Sequence, residues 1–323
     1  MIANSPGSLS HFSKWRSRRG DGRVERAPSC VFVFSGGGLN GAAQAGMVRE
    51  LLSAGVFPDA VVGVSAGALN AVYVASTPFE QAGDGLVAIW QEVGRSGIFN
   101  TRSSRRLWAV VRQHSSLDSG EKLAKIIDDH CPVANLEECS IPIRVGTLNL
   151  ESSSMVWHDR GDARARLRAS AALPGIFPPV ILDGERHVDG GVCSPVPLGV
   201  AIDFAPTRLI VLDVTLMDSH PRDSSLGETE VPHQSALGVL LASFEAARHR
   251  VAQAEKALVT DDVDVITIRA GIPGSMLPEA ASQVPHIIEL GAQAARDALS
   301  ANPQLTQPLA TVAASRSWRQ RGL

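Results

Sequence analysis

Val31-Phe32-Val33-Phe34-Ser35-Gly36-Gly37-Gly38-Leu39-Asn40-Gly41 is the stretch on which the reading of the fold turns. Four β-forming apolar residues in a row, without the alternation of a half-exposed strand, predict a strand buried on both faces, as parallel sheets have. The run ends in Ser35 and three glycines. From Gly41 to Ala54 small and apolar residues then recur at helical spacing, with Gly55 as the stop. The pattern repeats at once, Ala60 to Val64 as a second buried strand and Ala66 to Ala75 as a second helix. Strand, helix, strand, helix predicts an α/β fold, a three-layer α/β/α sandwich with a mostly parallel central sheet.

Further along, residues 77–135 turn more polar, with Arg102-Ser103-Ser104-Arg105-Arg106 beside Leu107-Trp108 and helical patterning from Glu121 to His130. They read as a helical cap insertion. Trp90, Phe99 and Trp108 fit a core by their spacing, with a membrane interface as the alternative. The sheet resumes at Ile143 to Leu150, with Met155-Val156-Trp157 as its partner after a turn, and a helix runs from about Ala163 to Leu173, stopping at Pro174. Val180-Ile181-Leu182, Asp183-Gly184 and Arg186-His187-Val188 spell a hairpin, since Asp-Gly favours a type I′ turn. Asp183 is thereby assigned to the turn. Leu209 to Val214 and Val263 to Ile268 are further buried strands, separated by a long helix over 234–258 and followed by one near 287–299. The chain divides into a basic N-terminal tail (1–29), one α/β domain (30–300) with 77–135 as its insertion, and a loosely ordered C-terminal tail (301–323).

Over 323 residues the net charge is −3, which provides no broad basic field for nucleic acid. Cys30, Cys131, Cys139 and Cys193 are scattered, without paired spacing or a neighbouring histidine cluster, so no metal site is expected and each reads as a small core residue. No apolar run reaches the ~18 residues that a membrane span needs. A cytoplasmic protein is the default, with peripheral contact to a membrane or lipid aggregate as the sharper expectation for the basic tail. The sequence is silent on oligomeric state.

Gly63-Val64-Ser65-Ala66-Gly67 fits G-x-S-x-G, and its context is a strand running into Ser65 with a helix directly after, the tight turn that lifts a nucleophilic hydroxyl above a sheet. Gly36-Gly37-Gly38-Leu39-Asn40-Gly41 also satisfies the dinucleotide fingerprint G-x-G-x-x-G, but that fingerprint needs an acid at the end of the second strand, and here the strand ends in Val64-Ser65. Amides of consecutive glycines suit an oxyanion equally well. For the base, His249 and His286 fall within or at the start of helices. Asp189-Gly190-Gly191 comes straight off the hairpin, its glycines leaving room for a close approach. A carboxylate bonded directly to Ser65 can accept its proton without a histidine.

Together the glycine loop, the Ser65 elbow, Ala169-Ser170-Ala171-Ala172-Leu173-Pro174-Gly175-Ile176-Phe177-Pro178-Pro179 and Asp189-Gly190-Gly191 resemble the patatin-like phospholipase family in order and spacing, over roughly residues 30 to 215. The resemblance implies a Ser65–Asp189 dyad, an oxyanion hole from the Gly36, Gly37 and Gly38 amides, supporting roles for Gly41, Gly63, Gly67, Gly190 and Gly191, no cofactor, and release of fatty acid from lipid esters. Two alternatives stand beside it: transacylation by the same dyad, and a lipid-binding module without turnover. The one departure is Asn40, where the family usually carries Arg or Lys.

Overall fold

The buried run at the head of the sequence is β1 (Cys30–Phe34), and a turn of 3-10 helix leads it into α1 (Gly41–Ser53). β2 (Ala60–Val64) and α2 (Ala66–Ser76) follow, matching the reading to within a residue. A computed structural model describes residues 29–96, 120–215, 236–272 and 282–306, with backbone alone over 236–245. The basic tail, Phe99, the stretch from Arg102 to Trp108, His233 and the residues after 306 lie outside that description.

The remaining elements are α3 (Phe79–Ser96), α4 (Glu121–His130), β3 (Ile143–Asn149), β4 (Ser154–His158), α5 (Ala163–Ser170), β5 (Val180–Leu182), β6 (Glu185–Asp189), α6 (Leu198–Ile202), β7 (Arg208–Asp213), α7 (Ala236–Lys256), β8 (Asp264–Arg269) and α8 (Val284–Ala301). β3, β2, β1, β7 and β8 lie side by side, all parallel. The antiparallel members β4, β5 and β6 gather at the β3 end, so the sheet is mixed. Asp183 and Gly184 turn the β5–β6 hairpin with φ of 53° and 88°, the two positive values that a type I′ turn requires.

Alternation along β1 feeds two cores. Phe32 and Phe34 face a layer that includes Leu51, Val72, Leu86 and Ile288. Val31 and Val33 face the other side with Val62, Val200, Phe204 and Val211. The described part of 77–135 is helical. α3 lies against α1, and Trp90 is buried within the first of these cores. Cys30, Cys131 and Cys139 are buried as expected of core residues; Cys193 is not, because it sits on the surface turn that follows Asp189-Gly190-Gly191. Among the described residues no helix is long and apolar enough to cross a membrane.

α1 and α8 cross with their backbones almost touching. A methyl group at Gly46 would collide with the Ile288 carbonyl, and one at Gly291 with that of Ala43. Neither obstacle is a side chain that can swing away. Gly291→Ala is therefore expected to lower stability by about 1–3 kcal/mol, the usual range for overpacking, read as the shift of the urea unfolding midpoint.

Candidate active site

β3 brings Ser65 and Asp189 together. Over residues 145–149 one edge of β3 is taken by β4, so the opposite edge serves β2 as far as Gly146 and β6 from Thr147 onward. β2 runs parallel to β3 and β6 antiparallel. The two therefore meet head-on, Val64 opposing Gly146 and Asp189 opposing the next residue, Thr147. Ser65 follows Val64 directly, and its hydroxyl comes close enough to the Asp189 carboxylate to pull that group's pKa down.

Ser65 has φ 56° and ψ −134°, a left-handed conformation imposed by the strand-to-helix turn. Such a residue costs about 1–3 kcal/mol and persists only where its surroundings enforce it. Ser170 supplies one restraint that motif reading missed. Its buried hydroxyl accepts from the Ser65 N–H at 2.9 Å and donates to the Gly146 carbonyl at 2.7 Å, tying the elbow to β3. Crowding supplies others. A Cβ on Gly63 would stand 2.5 Å from the Gly67 carbonyl, one on Gly67 would strike that of Ser35, and one on Gly41 would meet Trp90 at 2.7 Å. α5 ends at Ser170, three residues before the expected stop: the Ala172 N–H turns to the Ala169 carbonyl and the Leu173 N–H to that of Ala171 in place of the i−4 carbonyls, and the Ala172 carbonyl accepts from the Asp189 N–H at 3.0 Å.

Asp189 is 2% exposed, and its carboxylate also accepts from the Gly191 N–H at 2.7 Å. Burial pushes its pKa up from 3.8 to about 6, while the Ser65 hydroxyl, the Gly191 amide and the Arg248 charge pull it back. The group is thereby a stronger base than an ordinary aspartate, yet ionised at neutral pH. Gly190 permits this placement, since a Cβ there would stand 2.6 Å from the Gly146 carbonyl.

In the glycine loop one of the three expected amides is already engaged. The Gly36 N–H donates to the Pro195 carbonyl at 2.9 Å, which removes it from oxyanion duty. Gly36 instead provides clearance, as a Cβ there would stand 3.2 Å from that of Ser65. Gly37 and Gly38 line the cavity beside Ser65, Gly38 with φ 54°. Asn40 is buried and donates to the Val214 carbonyl at 3.4 Å, so its side chain secures the loop to the end of β7. Behind the loop runs a buried relay. Trp90 Nε1 donates to Asn70, Asn70 donates to Gly41 O and to Gln44, and Gln44 donates to the carbonyls of Ser35 and Leu212. Single polar residues in helices give no sequence signal for such a relay.

From Ser65, Asp189, Gly37 and Gly38 a cavity of about 130 Å³ extends between α2, α3 and α4. Its wall is apolar, with Leu69, Leu86, Trp90, Ile126, Leu173 and Phe177 among its members. His249 and His286 are not part of it. Arg248, which sequence reasoning also missed, lines it from α7. Among the described residues no group of three His, Cys, Asp or Glu side chains is placed to hold a metal ion. A strained serine beside a buried carboxylate, with a glycine loop and an apolar hollow at hand, suits nucleophilic attack on an ester that carries an apolar acyl group.

Residues 32–202 match the profile of a family described as patatin-like phospholipase. A patatin-like phospholipase domain-containing protein of Caenorhabditis elegans, M110.7, is 30% identical over 61% of this chain and 18% of its own length. Lysophospholipase NTE1 of Mycosarcoma maydis is 28% identical over 60% of this chain and 10% of its own. The uncharacterized NTE family protein Mb1092c of Mycobacterium bovis is 25% identical over 60% of this chain and 49% of its own. The chain thus corresponds to less than half the length of each of these relatives. Among solved structures, VipD from Legionella pneumophila superposes with a TM-score of 0.43 at 14% identity, over 85% of this chain and 67% of that one, too distant a likeness to carry weight.

Ser170→Ala strands the Ser65 amide and the Gly146 carbonyl in the interior. It is expected to destabilise the fold by about 1–3 kcal/mol, the cost of buried groups without partners, and to slow labelling of Ser65 by a fluorophosphonate. Asp189 makes a pH-dependent contribution of its own. Its folded-state pKa is raised, so the stability it provides is complete below pH 3.8 and is lost as pH rises through about 6. Asp189→Asn is accordingly expected to be more stable than the native chain at pH 8, by about 1–3 kcal/mol on the linkage relation. The difference should close near pH 4, as urea titrations at the two pH values would show.

Proposed function

The chain belongs to the patatin-like phospholipase family, and from that premise we propose that it is a serine lipid acyl hydrolase that releases fatty acid from lipid esters through a Ser65–Asp189 dyad. The observation that carries this reading is the placement of Ser65 beside a buried carboxylate at the head of an apolar cavity.

Ser65 Oγ attacks the ester carbonyl while its proton passes to Asp189. The new Oγ–C bond forms, and the carbonyl electrons move onto oxygen, where the Gly37 and Gly38 amides receive the negative charge. As the tetrahedral intermediate collapses, the C–O bond to the alcohol breaks and Asp189 returns the proton to the departing oxygen. Water then enters, Asp189 takes its proton, and the same sequence in reverse frees the fatty acid and Ser65. Burial serves both halves of the cycle, because the acyl chain in the cavity keeps solvent from the carboxylate and so preserves its raised basicity. The apolar wall would hold that chain, gaining roughly 25 cal/mol for each Å² of apolar surface withdrawn from water. A lipid aggregate or membrane surface is the natural source of such a substrate. The absence of a basic residue at position 40 is no argument for a binding module, since Asn40 is occupied in holding the loop to β7.

With a long-chain acyl ester, Ser65→Ala is expected to cut fatty-acid release on the order of 10³-fold or more, as loss of a nucleophile does, and to abolish fluorophosphonate labelling. Because the working form of Asp189 is the carboxylate, kcat/KM should rise with pH up to about 6 and then level off. Release that persists in Ser65→Ala, or a rate that falls as pH climbs from 5 to 7, would refute the dyad.

A further inference from the structure

Arg248 belongs to α7, beyond the stretch that matches the family, and the helix is pinned where it counts. Seven residues on, and so on the same face, Glu255 accepts from the Ser194 hydroxyl at 2.5 Å and from the Leu198 N–H at 3.3 Å. Those partners lie just after the Asp189-Gly190-Gly191 turn. With Glu255 fixed there, Arg248 stands two turns back, over the site itself.

Two glycines locate its guanidinium. Nη2 lies 3.7 Å from where a Gly36 Cβ would be and 3.6 Å from where a Gly191 Cβ would be. The first of those points is 3.2 Å from the Ser65 Cβ, and the second is 3.0 Å from Asp189 Oδ1. The group therefore hangs between the glycine loop and the Asp-Gly-Gly turn, no more than two contact lengths from nucleophile and base. It is 9% exposed and lines the same cavity as Ser65, Gly37 and Gly38. Among the described residues lining that cavity, it alone carries a permanent positive charge. Its influence on Asp189 is that of a nearby charge and the weakest of those acting there, while the hydrogen bond to that carboxylate comes from the Gly191 N–H.

An anionic group arriving with the substrate would meet this positive charge inside the cavity, where low polarity strengthens the attraction. The planar fork of an arginine matches the paired oxygens of a phosphodiester. In a glycerophospholipid that phosphodiester is joined through the glycerol to the ester under attack, so both reach the site together.

We propose that Arg248 is a specificity-determining residue that holds the phosphodiester of the substrate, so that the site takes phosphate-bearing acyl esters in preference to neutral acylglycerols. The assignment rests on the acyl-hydrolase reading. It is tested with a 1-acyl lysophosphatidylcholine and the 1-monoacylglycerol of the same chain, both kept below their aggregation thresholds, on the native chain, Arg248→Gln and Arg248→Lys. The native chain should favour the phosphodiester in kcat/KM. Arg248→Gln should lower kcat/KM for the phosphodiester by about 10- to 100-fold more than for the neutral ester, the scale of one hydrogen bond to a charged group. Arg248→Lys, which keeps charge and stem, should recover part of that preference. Equal loss on both esters would overturn the proposal, since it would mean that Arg248 serves only the dyad. So would a native preference for the monoacylglycerol, or an unchanged preference in Arg248→Gln. If the native chain cleaves neither ester and Ser65 resists a fluorophosphonate, the acyl-hydrolase reading itself has failed.

Discussion

β2 and β6 run toward each other along a single edge of β3, and the rest of the site depends on that meeting. Val64 and Asp189 oppose adjacent residues, Gly146 and Thr147, so the spacing of Ser65 and Asp189 is set by hydrogen-bonded backbone and not by the swing of side chains. A slip of one residue in either ladder would turn the affected side chain to the other face of the sheet. Closeness also restricts composition. Where the two strand ends abut there is room only for glycine at positions 63, 67 and 190, because at each the obstacle is another segment's backbone.

The meeting point is energetically unfavourable in itself. It combines a left-handed serine with a carboxylate sealed from water. Neighbours that do no chemistry hold it in place: Ser170 bridges the elbow to β3, Gly191 donates to Asp189, and the Gln44–Asn70–Trp90 relay links the cavity wall to the backbone under the loop. Local strain enforced by a well-bonded surround is the usual physical form of a preorganised site.

What the sequence disclosed follows from range. β1, α1, β2 and α2 were legible because each is declared by its own residues: an unbroken apolar run, a glycine stop, a return to helical spacing. The elbow and the hairpin turn were legible for the same reason, since Ser65 and Asp183 sit in short patterns with few backbone solutions. Ser170 was not, because its role is a contact across 105 positions of sequence and nothing in an alanine-rich helix marks one hydroxyl as a clamp. The Gly36 amide was misjudged for want of Pro195, a partner on another loop. The early end of α5 was hidden too, since the Ala172 and Leu173 N–H groups turn to nearer carbonyls than helical spacing would supply. Arg248 was invisible because a cation in a long helix reads as surface until the helix is laid on the sheet.

β7 has a further consequence, for where this unit can be divided. The stretch that matches the family closes at residue 202, yet β7 begins at Arg208 and occupies the second edge of β1. From it, the Leu212 carbonyl receives Ser35 and Gln44, and the Val214 carbonyl receives Asn40. The glycine loop is thus cast against a mould that lies past the stretch matching the family profile. Anyone transplanting the patatin-like core into another chain would have to carry the sheet through β7, or leave β1 with a bare edge and the loop without its backing. A cut at the limit of the profile would remove the wall while keeping what leans on it.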